Sequence, residues 1–272
     1  MKKVGFIGYG SMGSVILKGF LHSGALNADQ VIISTRTRSK LSEIKETYPE
    51  VEIGLNNEVT ASKSDLIFLF IGTSQVKPVI EEIKKFLSED THIVYISAAL
   101  EIAMVDCMFK GKITKVIPSL TSEVLEGVSL ICHNNVVTVE ESQLVNTLFS
   151  SIGDIKIVDE GDLDIGADIT SCSPAFIAKI FREFSLEASK NSNFSREETE
   201  EMVIRTLYGT SKLLYEKNFG FDDLISAVAT KGGITEEGIK VLDNKIAEIF
   251  DDLFMKTIEK HEIIKRELKE QY

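Results

Sequence analysis

Two short runs of this 272-residue chain combine residue types and spacings that could do chemistry. The first is Gly8-Tyr9-Gly10-Ser11-Met12-Gly13, directly after the apolar run Val4 to Ile7. It reads as a buried strand turning sharply into a helix. Gly8 permits the tight turn, Gly10 lets a pyrophosphate approach the backbone, and Gly13 lets helix pack on strand. The helix opening at Ser11 and Met12 turns its N-terminus toward the anion. Such a motif also arises by chance in glycine-rich loops, where it is only a strand–helix turn. Here the amphipathic segment Val15 to Leu21 follows, which is the context a dinucleotide site requires.

About 20 residues beyond the last glycine, a second strand, Val31 to Ser34, should end beside an adenine ribose. Sites selective for NAD carry Asp or Glu there to bond the ribose 2′-hydroxyl. This chain has Thr35-Arg36-Thr37-Arg38 instead. A guanidinium beside small hydroxyls suits a 2′-phosphate, because its fork gives bidentate, charge-assisted bonds. The expectation is NADP(H), with NAD(H) as the alternative and a solvated basic loop as the plainer reading.

The second run is Lys231-Gly232-Gly233-Ile234-Thr235-Glu236-Glu237-Gly238, a double-glycine loop leading into a helix with Thr235 as its expected N-cap. The free N–H groups of a helix start, with the threonine hydroxyl, could hold a small carboxylate. Alternatively Thr235, Glu236 and Glu237 satisfy those amides themselves. The residues alone leave both readings open.

The elements that must position these runs are legible as patterns. The first half alternates strand-like and helix-like segments, as in a parallel sheet covered by helices. After the first two strands come Leu66 to Ile71, His92 to Ser97, Ile113 to Ile117, Val128 to Cys132 and Ile155 to Val158, with helical spacing over Val79 to Phe86. Near Glu160-Gly161-Asp162 the pattern becomes helical throughout. The expected fold is therefore an α/β Rossmann-type N-terminal domain over 1–160 and an all-α domain over 161–272.

Ser173-Pro174 reads as an N-cap with proline at the first helical position. Ile177, Ile180, Phe181, Phe184 and Ala188 make one apolar stripe after it. Ser195-Arg196-Glu197-Glu198 reads as a capping box. A last helix from about 236 to 268 has an apolar stripe too strong to stand alone in water, so the helical region is expected to bury against a second copy. That gives a homodimer, or a larger homo-oligomer built from it.

Composition narrows the function. Hydrophobic residues are 43% and charged residues 26%, ordinary for a globular chain. A net charge of −12 argues against a nucleic-acid partner. No apolar run approaches the roughly 20 residues that span a bilayer, so no membrane partner is expected. The first strand begins so early that no signal peptide is expected, and cytoplasm is the simplest compartment. Cys107, Cys132 and Cys172 form no CxxC, and the histidines stand far apart, so no metal site is expected.

Taken together the chain resembles pyrroline-5-carboxylate reductases over nearly its whole length. The residues carrying the resemblance are Gly8 to Gly13, Thr35 to Thr37, Ser171-Cys172-Ser173-Pro174-Ala175, and Gly232-Gly233-Ile234-Thr235 with Gly238, Leu242 and Asp243. The last segment is far more specific than the N-terminal glycine motif. The resemblance implies a helical domain that interlocks with its partner. It also implies a Gly-Gly-x-Thr loop that holds the carboxylate of a cyclic imine against the nicotinamide, making Gly232, Gly233 and Thr235 the catalytic-site candidates. The reaction would reduce 1-pyrroline-5-carboxylate to proline, and the small-molecule partner would be a carboxylate-bearing imine. No residue is assigned as general acid.

Departures cluster around the reacting half of the cofactor. The family's Val-Lys-Pro after the strand near the nicotinamide ribose is Ile71-Gly72-Thr73 here, placing Ile71 and Gly72 among the cofactor-binding candidates. The Pro-Asn-Thr-Pro turn is Pro118-Ser119-Leu120-Thr121, and the proline before the double glycine is Lys231. This variant pattern is similar to the ComER branch, named for late competence operons, which makes a catalytically weak paralogue with a regulatory or binding role the alternative. A β-hydroxyacid dehydrogenase shares the first glycine motif, but its catalytic lysine position holds Ile177.

Overall fold

The computed structural model describes residues 3–270, and the first glycine motif lies where its first strand ends. The N-terminal elements run β1 (Lys3–Ile7), α1 (Ser11–His22), β2 (Val31–Ser34), α2 (Ser42–Thr47), β3 (Glu52–Ile53), α3 (Asn57–Ser62), β4 (Ser64–Leu69) and α4 (Thr73–Ile83). They continue as β5 (His92–Ile96), α5 (Ile102–Met108), β6 (Lys112–Ile117), β7 (Gly127–His133), α6 (Val139–Ser150) and β8 (Gly153–Ile157). The helical remainder is α7 (Leu163–Ala167), α8 (Ser173–Lys190), α9 (Arg196–Glu216), α10 (Phe221–Val228), α11 (Ile234–Asp243) and α12 (Ile246–Lys269).

The strands form one eight-stranded sheet in the order β3-β2-β1-β4-β5-β6-β7-β8. The chain reverses direction across the sheet between β1 and β4, which leaves a crevice at their carboxyl ends. Apolar runs in β1, β2, β4 and β5 are buried on both faces, as strands covered by helices must be. One core cluster packs Phe6, Phe68 and Phe149 with α1 residues Ile16, Leu17 and Phe20; the other packs Ile67 and Ile93 with Val76, Ile80 and Ile83 of α4. Stacked Phe6 and Phe68 rings, 4.9 Å between centroids, join the central strands on the α1 side.

The sheet is parallel, as expected, except at one place: β6 and β7 pair antiparallel while the other neighbouring strands pair parallel. Pro118 to Glu126 is shorter than the roughly dozen residues a parallel crossover needs. The expected last helix is also two helices, α11 and α12, separated at Asn244-Lys245.

Residue contacts divide the chain into two units: residues up to Cys172 together with those from Thr257, and Ser173–Lys256. The end of α12 thus packs with the sheet unit, where Leu268 is buried in the second core cluster and Lys265 pairs with Asp164. Lys115, 1% exposed on β6, is 3.1 Å from Glu160, which also accepts from the Ile102 amide at 2.7 Å. Burial lowers the Lys115 pKa and the Glu160 charge opposes that shift. In the second unit, Ser195 and Glu198 form the expected capping box on α9. Ser173, by contrast, is no free N-cap: a π-helical turn, Asp168–Cys172, links α7 to α8 without a break.

Candidate functional site

A cleft of about 630 Å³ opens at the carboxyl ends of β1, β2 and β4. Its floor is Gly8 and Gly10. Gly8 has φ +102°, and a Cβ there would stand 2.3 Å from the Phe70 carbonyl oxygen, so another side chain would break the turn. A Cβ on Gly10 would meet nothing within 4 Å, since that position faces open space. Gly13 is buried against Phe70, where a Cβ would come within 2.9 Å of the Phe70 side chain, and α1 thereby lies close on the sheet.

Helix α1 starts after Gly10 with no side-chain cap and no acidic residue in its first turn. Its leading amides, those of Ser11 and Met12 among them, therefore present the positive end of the helix to an incoming anion. This absence of an internal cap is what a pyrophosphate requires of the residues that would hold it.

Thr35, Arg36 and Thr37 form one wall of the cleft. Arg38 also lines the cleft and donates to the Leu55 carbonyl there. Arg36 has only a long contact, 3.5 Å to Gln75 Oε1, and no carboxylate within ion-pair distance among the described residues. Its guanidinium is thus available for a phosphate, and the donor set fits NADP(H).

Ile71 and Gly72 line the cleft where β4 gives way to α4. Of the ten cofactor-binding candidates, Gly8, Gly10, Thr35, Arg36, Thr37, Ile71 and Gly72 line this cleft, and Ser11, Met12 and Gly13 form the helix turn abutting it. Sequence reasoning missed Asn56, Asn57, Gln75, Val79 and Glu82, which line it too. Asn56 caps α3, accepting from the Val59 amide at 2.9 Å, while Asn57 links Ser34 Oγ and Glu82 Oε2, each at 2.9 Å. The Asn-Asn pair was a helix-start signal that could have marked this edge. Tyr9 lines it as well, its hydroxyl buried without a partner among the described residues and its pKa pushed up to about 12, chiefly by burial.

Gly232, Gly233 and Thr235 belong to the second unit. Gly232 has φ +74°, and Gly233, not Thr235, is the N-cap of α11. Thr235 falls inside the helix, which begins at Ile234, ahead of the expected start, directly after the Gly233 amide closes a turn onto the Thr230 carbonyl at 2.9 Å. Glu236 Oε2 accepts from the Gly232 amide at 2.8 Å, so the loop has a carboxylate of its own on one amide. Thr235 is exposed, and no side-chain cap occupies the helix start.

Comparisons with known proteins bear on the chain's family. Residues 160–264 match the family described as pyrroline-5-carboxylate reductase dimerisation, and residues 3–99 match NADP oxidoreductase, coenzyme F420-dependent. The chain is 34% identical over 273 residues to pyrroline-5-carboxylate reductase 3 of Bacillus subtilis (strain 168), covering 100% of each. It is 27% identical to ComE operon protein 4 of the same organism, covering 96% of this chain and 95% of that one. Among solved structures, the Plasmodium falciparum pyrroline carboxylate reductase with NADP bound superposes with a TM-score of 0.81 at 25% identity, covering 97% of each chain.

Proposed function

The chain belongs to the pyrroline-5-carboxylate reductase family, and on that premise we propose that it is an NADP(H)-dependent oxidoreductase reducing 1-pyrroline-5-carboxylate to proline. The observation carrying this reading is the full-length 34% identity to a named reductase, together with a glycine cradle and an arginine that has no carboxylate within ion-pair distance among the described residues. NADPH, when bound, supplies a hydride.

The chain's own residues position the two reactants. The first turn of α1 binds the pyrophosphate, and Arg36 with Thr35 and Thr37 binds the 2′-phosphate. Gly232, Gly233 and Thr235 hold the substrate carboxylate through backbone amides and a hydroxyl, with Glu236 yielding the Gly232 amide. A protonated cyclic imine is already electrophilic, so bringing the reacting carbons to about 3–3.5 Å does most of the catalytic work. No side chain is assigned as general acid.

The catalytic chain is a cytoplasmic homodimer in this reading, with residues 1–160 as the dinucleotide domain and 161–272 as the dimerisation and substrate domain. The second unit supports the dimer, because neither buried core cluster contains a residue of 173–256. A second reading, a weakly catalytic paralogue with a regulatory or binding role, draws on Lys231 before the double glycine and on the likeness to ComE operon protein 4. Following NADPH absorbance with racemic pyrroline-5-carboxylate separates the two. Substrate-dependent, saturable oxidation supports the reductase, whereas tight NADPH binding without turnover supports the paralogue.

A further inference from the structure

Thr73 and Ser97 stand at the same carboxyl edge of the sheet as the glycine cradle, and the proposed chemistry has not used either of them. Thr73 opens α4 just past β4, and Ser97 follows β5. The Leu100 amide donates to Ser97 Oγ at 3.1 Å, and Ser97 Oγ lies 2.9 Å from Thr73 Oγ1. The Leu100 carbonyl is itself held by the Tyr95 hydroxyl at 2.8 Å, so the turn that aims this amide is tied to the strand.

Proton counting leaves the pair one donor over. Two hydroxyls carry two protons, and their mutual bond uses one. Ser97 is buried and Thr73 is half-buried at the surface. Either oxygen can donate across the pair; in the arrangement where buried Ser97, accepting from the Leu100 amide, donates to Thr73, the half-buried Thr73 keeps a proton that it can donate outward. A chain of this kind, amide to hydroxyl to hydroxyl, polarises each successive donor. Helix α4 adds to this: its N-cap is Gly72, with no side-chain cap and no acid in its first turn, so nothing in that turn competes for the Thr73 hydroxyl.

Topology says what lies opposite. The 2′-phosphate wall follows β2, and the pyrophosphate helix follows β1. A dinucleotide extended across the strand ends must then carry its other half toward β4 and β5, which lie one and two strands beyond β1. With strands about 4.8 Å apart, that is roughly 10 Å, within reach of the second nucleoside. That half has acceptor oxygens in its ribose hydroxyls and its carboxamide.

We propose that the Thr73 hydroxyl, oriented by Ser97, donates a hydrogen bond to an oxygen of the nicotinamide-riboside half of the cofactor. The inference rests on reading the cleft as a dinucleotide site, and its test is built to keep the two apart. NADPH and adenosine 2′,5′-bisphosphate, which lacks the whole nicotinamide-riboside half, are titrated calorimetrically into the intact wild-type protein and into Thr73→Val, Thr73→Ala and Thr73→Ser. A wild type that binds neither probe overturns the dinucleotide reading itself. With wild-type binding intact, the expected result is an NADPH Kd raised about three- to ten-fold in Thr73→Val and Thr73→Ala, the size of one lost hydrogen bond. The bisphosphate Kd stays unchanged, and Thr73→Ser restores NADPH binding. Equal weakening of both probes, or no weakening of NADPH, overturns the proposal.

Discussion

The guanidinium of Arg36 stands at the mouth of the cleft with a glutamine amide 3.5 Å away, while Arg38, two residues on, is spent on a backbone carbonyl. Arg38 thus has one donor fixed on the backbone while Arg36 has only the long glutamine contact, a difference that a run of Thr-Arg-Thr-Arg does not reveal by itself. A 2′-phosphate bonded to Arg36 contributes a charge-assisted interaction that NADH lacks. Arg36→Ala should therefore raise the Kd for NADPH by about 10- to 100-fold and leave that for NADH nearly unchanged. Fluorescence titration of both nucleotides measures this, and an equal loss for both would mean that Arg36 does not meet the phosphate.

At the opposite edge of the sheet, three strands share a buried polar chain. His92 of β5 has Nε2 2.7 Å from Thr114 Oγ1 of β6, and His133 of β7 has Nδ1 2.7 Å from the same hydroxyl. Burial, helped by the neighbouring His133 and Lys112, pushes the His92 pKa down to about 4, and burial lowers that of His133 as well. A histidine kept neutral in the fold takes up protons more readily when unfolded, where its pKa is about 6.5. Stability is thus fully present above pH 6.5 and is lost as pH falls toward about 4, with a cost from His92 on the order of 3 kcal/mol. Thermal melts from pH 7 to pH 4.5 should show this slope, and His92→Gln should reduce it; an unchanged slope in the variant would remove His92 from the explanation.

The same sheet shows what sequence pattern reaches and what it does not. Val31–Ser34 and the glycine turn were legible because burial on both faces and a sharp turn leave local signatures. The strand β3 was missed because it has only two residues, Glu52 and Ile53, too few for any period. The direction of β7 is set by the length of its connection rather than by its own residues. The π-turn before α8 was hidden because Ser-Pro reads locally as a helix start, while the preceding turn holds the helix continuous. In the cleft, the glycine turn and Thr35 to Thr37 were legible from residue type and spacing; the hydrogen bonds of Asn57 and Glu82, and that between Thr73 and Ser97, were not, since the partners are distant in sequence.

The two units differ in how they hold themselves together. The sheet unit has two packed clusters, while Ser173–Lys256 leaves Ile204, Tyr208 and Phe221 66%, 68% and 77% exposed. Apolar faces of that extent on α8, α9 and α10 call for a second copy, in keeping with the dimerisation family matched by residues 160–264. Sedimentation should give a dimer of the 30.2 kDa chain, and Ile204→Glu on the exposed face of α9 should shift it to monomer without lowering helix content. A wild-type monomer at micromolar concentration would contradict that assembly. The account as a whole is tested most directly by following the hydride. NADPH deuterated at C4 of the nicotinamide, on the transferred face, is mixed with the protein and pyrroline-5-carboxylate, and the proline formed is examined by mass spectrometry. One deuterium at the proline Cδ is the predicted result; proline without label, or no proline while NADPH is bound, would contradict it.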